Sequence, residues 1–234
     1  MKPLLLGHRG ARSSRQILEN TLASFELCLQ HGCEGFEFDV RRSADGEAVI
    51  CHDATYTGKE IAVTGAAGLA LPTLGEVLQG FSSRAFLDIE LKVAGLEQPA
   101  IAELRKHAPQ KGYVVSSFLP DVLTAIHALD PSIPLGFLCE RRAQLPRESR
   151  VPSPAALRAA GRAGAPVAPP ELAWVIPHVR LVEPELIDEV HASGKKIMVW
   201  TVNRAEKIRQ MAEWGVDAII TDETELVTQV LRAP

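Results

Sequence analysis

No stretch of the 234 residues approaches the roughly 20 consecutive apolar residues that a membrane-spanning helix needs. The amino terminus, Met1-Lys2-Pro3-Leu4-Leu5-Leu6-Gly7, carries one lysine and three leucines, too short an apolar run for a secretory leader. The four cysteines, Cys28, Cys33, Cys51 and Cys139, contain no C-x-x-C pair. Without an export signal they read as reduced core thiols, not as disulfides or zinc ligands. These absences predict a cytoplasmic protein with no membrane span. No run of Lys or Arg concentrates positive charge, and the net charge is −4. Nucleic acid is therefore not expected as a partner. Monomer and homo-oligomer are equally compatible with the sequence.

What is present is an alternation, almost from end to end, of apolar runs of strand length with segments of helical period. Strands are expected at Leu4–Leu6, Gly35–Val40, Ala85–Lys92, Tyr113–Ser116, Leu135–Leu138, Ile197–Trp200 and Ala218–Thr221. Glu47–Cys51, after the turn pair Asp45-Gly46, reads as a hairpin partner of the second strand. Helices are expected at Thr21–His31, with Asn20 as its N-cap, and at Thr73–Gln79, Pro120–Leu129, Ala155–Arg162, Glu183–His191 and Arg204–Trp214. Eight strand–helix units require one more strand, at Val167 or within Val175–Val179; the proline-rich stretch Ala165–Pro170 obscures its register. The Pro, Arg and Ser cluster Arg141–Pro154 reads as a surface loop. Repeated βα units imply a parallel sheet with right-handed crossovers, and the length suits a closed barrel of about 250 residues. Residues 1–234 are thus expected to form a single α/β domain, a (β/α)8 barrel.

Charge falls at unusual strand positions. In Gly35-Phe36-Glu37-Phe38-Asp39-Val40 the acids alternate with apolar residues, so Glu37 and Asp39 share one face. In Leu87-Asp88-Ile89-Glu90-Leu91-Lys92 the same alternation groups Asp88, Glu90 and Lys92. A solvent-facing antiparallel strand would show this pattern too. In a parallel barrel, however, the apolar face packs on the helices and the charged face turns inward. A carboxylate there is costly unless paired, hydrogen-bonded or bound to metal. Acids converging from two strands beside a lysine have the composition of a hard-cation site with oxygen ligands. His8 and His52 stand where the first strand and the hairpin strand end, on the rim that carries active sites in such barrels. The other histidines, His31, His107, His127, His178 and His191, have weaker local context and read as surface or packing residues.

Taken in order, Gly7-His8-Arg9-Gly10, Glu19-Asn20-Thr21, Glu37-Phe38-Asp39-Val40, Asp45-Gly46, His52-Asp53 and Glu90-Leu91-Lys92 resemble the glycerophosphodiester phosphodiesterases. Val199-Trp200-Thr201-Val202-Asn203 and the run Gly215–Asp222 look like that family's last two strands. The resemblance covers nearly the whole chain apart from about Arg141–Val182. It implies a TIM-type barrel with one divalent cation, Mg²⁺ or Ca²⁺, bound by Glu37, Asp39 and Glu90. It implies His8 and His52 as general acid and base, and Arg9 and Lys92 as phosphate ligands. Trp200 would pack near the glycerol end, and Glu19 and Asn20 would help shape the site. The implied substrate is a small-molecule glycerophosphodiester, hydrolysed to an alcohol and glycerol 3-phosphate.

The chemistry suits these residue types. A phosphodiester gathers negative charge on its equatorial oxygens in the transition state, where a cation, Arg9 and Lys92 would stabilise it. One histidine would take the nucleophile's proton and the other would protonate the leaving alkoxide. The nucleophile is either a water or the substrate's own neighbouring hydroxyl.

The sequence also departs from the family's pattern. His52-Asp53-Ala54-Thr55-Tyr56-Thr57-Gly58 lacks the usual Leu-x-Arg-Thr-Thr type segment, and the inserted subdomain that commonly follows is missing. The proline common before Glu-Asn-Thr is Leu18. A more open site would admit larger diesters, giving a lysophospholipase D-like activity as the alternative. A catalytically silent phosphodiester-binding barrel would predict a decayed site, and no expected acid–base or metal residue is replaced. A metal-independent phospholipase C-like barrel would lack the carboxylates, and a barrel lyase or isomerase using Lys92 as base would leave the two histidines unused.

Overall fold

The computed structural model describes residues 2–141, 144 and 172–232. The strands are β1 (Leu4–His8), β2 (Gly35–Arg42), β3 (Ala48–Ile50), β4 (Thr55–Tyr56), β5 (Lys59–Glu60), β6 (Phe86–Leu91), β7 (Tyr113–Ser117), β8 (Leu135–Cys139), β9 (Trp174–Pro177), β10 (Lys196–Val199) and β11 (Ala218–Thr221). β1, β2 and β6 to β11 pair in parallel, and β1 lies between β2 and β11, so the eight strands close. This is the expected (β/α)8 barrel. β9 takes the second of the two places proposed for the missing strand. The expected helix Ala155–Arg162, the alternative strand at Val167 and most of the loop Arg141–Pro154 lie outside the described residues.

Two apolar layers result from the strand alternation. Outward residues such as Phe36, Phe38, Leu87, Ile89 and Val175 join the surrounding helices in the main core. Phe25, from the helix Leu22–Gln30, stacks on Phe36 with centroids 4.2 Å apart, and Phe81 meets both rings edge-on. Such pairs add about 0.5–1.5 kcal/mol each beyond the area they bury. Inside the barrel, Leu6, Phe86, Val114, Ile176, Met198 and Ile220 fill a second cluster. The interior is therefore apolar except on the β2, β6 and β7 side, where Glu37, Asp39, Asp88, Glu90 and Ser116 are all buried. Gly35 makes room at the base of that side: a Cβ there would lie 1.9 Å from the Phe86 carbonyl oxygen.

β3 runs antiparallel to β2, as the Asp45-Gly46 turn predicts. The short stretch after His52 is folded. β4 and β5 form a hairpin around Thr57-Gly58, both at positive φ, the geometry of a two-residue hairpin turn. A 3-10 turn (Ile61–Val63) and a one-turn helix (Ala66–Leu69) follow. Val49, Cys51, Ile61 and Leu69 bury one another, with Tyr56 and Leu71 packed alongside. All four cysteines are free and buried.

A carboxylate-lined site at the barrel mouth

The register of β2 against β6 sets Glu37 opposite Asp88 and Asp39 opposite Glu90. The sequence alternation then turns all four inward. One oxygen from each of Glu37, Asp39 and Glu90 lies within 4.8 Å of the others. Ligands at about 2.1–2.5 Å from a common Mg²⁺ or Ca²⁺ are separated by no more than about 5 Å, so the trio fits such an ion. Glu37 Oε1 is buried without a hydrogen-bond partner, an open acceptor that a cation would complete. Asp88 sits deeper; its Oδ1 accepts from Ser116 Oγ at 2.6 Å, and Oδ2 is unpartnered.

Burial dominates the electrostatics. It pushes Glu90 up to about 8, helped by Asp39 and opposed by Lys92, and Asp88 up to about 7. It also raises Glu37 well above the carboxylate range, with Asp39 and Glu90 adding to the effect. Asp39 differs: burial opposes its charge, but Lys92, Arg9 and Asn20 outweigh it and hold the carboxyl low. Lys92 Nζ lies 2.8 Å from Glu90 Oε1 and 3.2 Å from Asp39 Oδ1.

These shifts predict how stability depends on pH. For Glu90 and Asp88 the folded state holds protons that the unfolded chain releases near its ordinary value. The stabilisation is complete below about pH 4 and is lost as pH rises through about 7 to 8. Thermal melts in EDTA should therefore show Tm falling across that interval, and a divalent cation should flatten the fall. A cation-independent, level profile would contradict the site as drawn.

The loop after β1 holds Arg9. Gly10 has φ +80, and a Cβ on it would meet Ser24 Oγ at 2.5 Å, so the chain turns tightly onto the first turn of the helix Leu22–Gln30. Arg9 and Asn20 both adopt φ 56, which costs about 1–2 kcal/mol for residues with a Cβ, less for Asn. Contacts offset that cost: the Asn20 N–H donates to the Arg9 carbonyl at 3.0 Å. The Arg9 N–H donates to Glu37 Oε2 at 3.0 Å, and Arg9 Nη1 to Glu19 Oε1 at 2.7 Å. Arg9 Nε lies 3.2 Å from Asp39 Oδ2 but is not aligned for a hydrogen bond.

Asn20 is not the helix cap. Thr21 is, accepting from the Ser24 N–H, while Asn20 Nδ2 donates to Asp39 Oδ2 at 2.8 Å. Two adjacent residues of capping type made the sequence ambiguous, and the left-handed turn decides by directing Asn20 inward.

His8 Nδ1 lies 2.7 Å from Asp222 Oδ1, and its Nε2 is 3.9 Å from Glu37 Oε2. Burial opposes the charge on Asp222, yet its bonds with His8, Asn203 and Arg12 outweigh burial and hold it far below the usual range. Asn203 Nδ2 donates to Asp222 Oδ2 at 2.6 Å. His52 Nδ1 pairs with Asp53 Oδ1 at 2.7 Å, and Arg41 Nε donates to the His52 carbonyl at 2.8 Å. Burial lowers His52, with Asp39 acting against it.

Trp200 stands apart from the carboxylates. Its ring meets Phe118 at 5.4 Å and His178 at 5.1 Å, both edge-on, and its Nε1 donates to the Ile176 carbonyl. Phe118 also faces Lys92 Nζ at 5.9 Å, so the aromatic group borders the site. His178 belongs to this aromatic wall; of the five histidines set aside from sequence, it alone meets the Trp200 ring. Asp222, Asn203 and Arg41 are the polar residues that sequence reasoning missed. The signal for Arg41 was available: it continues the inward stripe of Glu37 and Asp39. A larger hollow of about 460 Å³, at the opposite end of the barrel near Leu4, Glu34, Phe86 and Lys111, holds none of these residues.

No helix among the described residues is long and apolar enough to cross a membrane. The model of the glycerophosphoryl diester phosphodiesterase family matches residues 8–76 and 82–226. A glycerophosphodiester phosphodiesterase of Caldanaerobacter subterraneus subsp. tengcongensis is 29% identical over 259 residues, spanning 99% of both chains. The glycerophosphodiester phosphodiesterase structure from Thermotoga maritima has 25% identity and a TM-score of 0.76, covering 98% of this chain and 99% of its own. A phosphodiesterase from Oleispira antarctica, solved in complex with the product sn-glycerol-3-phosphate, has 27% identity and a TM-score of 0.77 over 99% and 98% of the two chains. The chain belongs to the glycerophosphoryl diester phosphodiesterase family and is a phosphoric diester hydrolase.

Proposed function

We propose that the protein hydrolyses glycerophosphodiesters to glycerol 3-phosphate and an alcohol, with Mg²⁺ or Ca²⁺ held by Glu37, Asp39 and Glu90. The observation that carries this reading is the buried three-acid cluster lying beside Lys92 and Arg9 and flanked by His8. The bound cation would supply positive charge at the nonbridging phosphate oxygens.

Lys92 and Arg9 add their charge at the same oxygens, where it grows most in the transition state. Because an ionised carboxylate only accepts, Asp222 accepts a hydrogen bond from His8 Nδ1–H and leaves Nε2 facing the site. Asp53 does the same for His52. One imidazole accepts the nucleophile's proton and the other protonates the leaving alkoxide. Burial favours the neutral form of His52, the form that accepts a proton. Trp200 and Phe118 offer an apolar wall for the carbon face of glycerol, and Asn20 keeps Asp39 oriented for its ligand role.

The test is release of glycerol 3-phosphate from glycerophosphocholine and glycerophosphoethanolamine with Mg²⁺, Ca²⁺ or EDTA. Cation-dependent release is expected. Release from lysophospholipids alone would move the substrate to larger lipid diesters, and none from any diester by folded protein would leave a silent barrel. Lys92→Ala, assayed at saturating cation, should lower kcat/KM by roughly 100-fold. It should also weaken inhibition by glycerol 3-phosphate far more than inhibition by glycerol; equal losses would remove Lys92 from the phosphate.

A further inference from the structure

A cleft of about 220 Å³ opens beside His52. It is lined by Leu18 to Thr21, Ile50 to Asp53, Tyr56, Leu71 and Pro72. It is continuous with the catalytic centre, because Asn20 touches Asp39 and Glu19 touches Arg9. Its other surfaces are mainly hydrocarbon.

The charges lining the cleft are already matched. Glu19 accepts from Arg9 and Arg12, and Asp53 from His52. No Lys or Arg lines it, so an anionic group entering would meet two carboxylates and no free cation. Leu18, at the lip, is 73% exposed, the highest exposure among the large hydrophobic side chains described. The fold makes little use of it. Tyr56 and Leu71, in contrast, are firmly backed: they pack on the buried cluster of Val49, Cys51, Ile61 and Leu69. A fixed apolar surface, one exposed leucine and His52, the proposed acid–base histidine, thus line the same cleft.

We propose that this cleft seats the leaving alcohol and selects alcohols with an uncharged, apolar body over anionic ones. The inference rests on the phosphodiesterase reading above, and it makes Leu18, Tyr56 and Leu71 specificity-determining residues. Leu18 contributes by losing its water contact only when the alcohol is bound, so its effect grows with the apolar length of that alcohol.

The experiment measures kcat/KM for the methyl, butyl and hexyl esters of glycerol 3-phosphate, and for the anionic carboxymethyl ester, with the full-length enzyme at saturating Mg²⁺. A half-buried chain should gain roughly twofold per methylene, about 30-fold from methyl to hexyl. The carboxymethyl ester should fall below the methyl ester. Leu18→Ser, at an exposed position, should lower the hexyl-to-methyl ratio severalfold, and Leu71→Ser should lower it independently. A flat series on an enzyme that turns over the methyl ester would overturn the inference and leave the reaction standing. A steep series unchanged by both variants would also overturn it, by placing the chain elsewhere. No turnover of any ester would overturn both the inference and the reaction.

Discussion

Replacing Glu37 by glutamine is expected to abolish divalent-cation binding and, with it, roughly 1,000-fold or more of turnover. The size follows from removing several kcal/mol of charge stabilisation at the transition state. The change is nearly isosteric, and the glutamine oxygen can still accept from the Arg9 N–H that now bonds Glu37 Oε2. The fold should therefore survive. Burial and three neighbouring carboxylates, Asp39, Glu90 and Asp88, already disfavour charge at Glu37, so the variant should melt no lower than the parent in EDTA. It should, however, lose the rise in Tm that a cation gives the parent. Calorimetric titration with Mg²⁺ and Ca²⁺ is the direct check. Unchanged affinity in a folded Glu37→Gln protein would remove Glu37 from the proposed ligands and leave Asp39 and Glu90 as the cation's carboxylates.

His8→Ala should produce the second large effect, a fall in kcat of roughly 100-fold to 10,000-fold with a much smaller change in KM. The geometry separates this from a binding defect. His8 Nε2 faces Glu37, and Nδ1 is committed to Asp222, so a proton exchanged by the ring would pass through Nε2. Asp222→Asn should then give an intermediate loss, also in kcat, because the amide can still orient the ring but no longer supports its charge. A loss confined to KM in His8→Ala would end the acid–base assignment.

Much of the fold and of the charged site was legible in the sequence because it is encoded locally. A period of two in Glu37, Asp39, Asp88, Glu90 and Lys92 fixes which side chains share a face, and the parallel register then brings the two faces together. What the sequence did not disclose depends on contacts between distant residues. Asp222 ends its strand as many acids do, and its meaning comes from His8, 214 positions away. His178 read only as a surface or packing residue; the short β9 carries it to the rim beside Trp200. Asn20 was misread because Asn and Thr both cap helices, and only the left-handed backbone at Asn20 tells them apart. The segment after His52 lacked a recognisable period: its two-residue strands and single-turn helix are too short to show one.

The closure of β1 against β11 has a consequence for how the protein is made. His8 is synthesised 214 positions before Asp222, and Asn203 and Asp222 follow β10 and β11. Until β11 docks, His8 has no carboxylate behind it. An emerging chain with most of its barrel formed would already hold β2 and β6 with their carboxylates, yet its His8 ring would lack the Asp222 partner that orients it. On the acid–base role proposed for His8, diester cleavage would await the docking of β11 on β1.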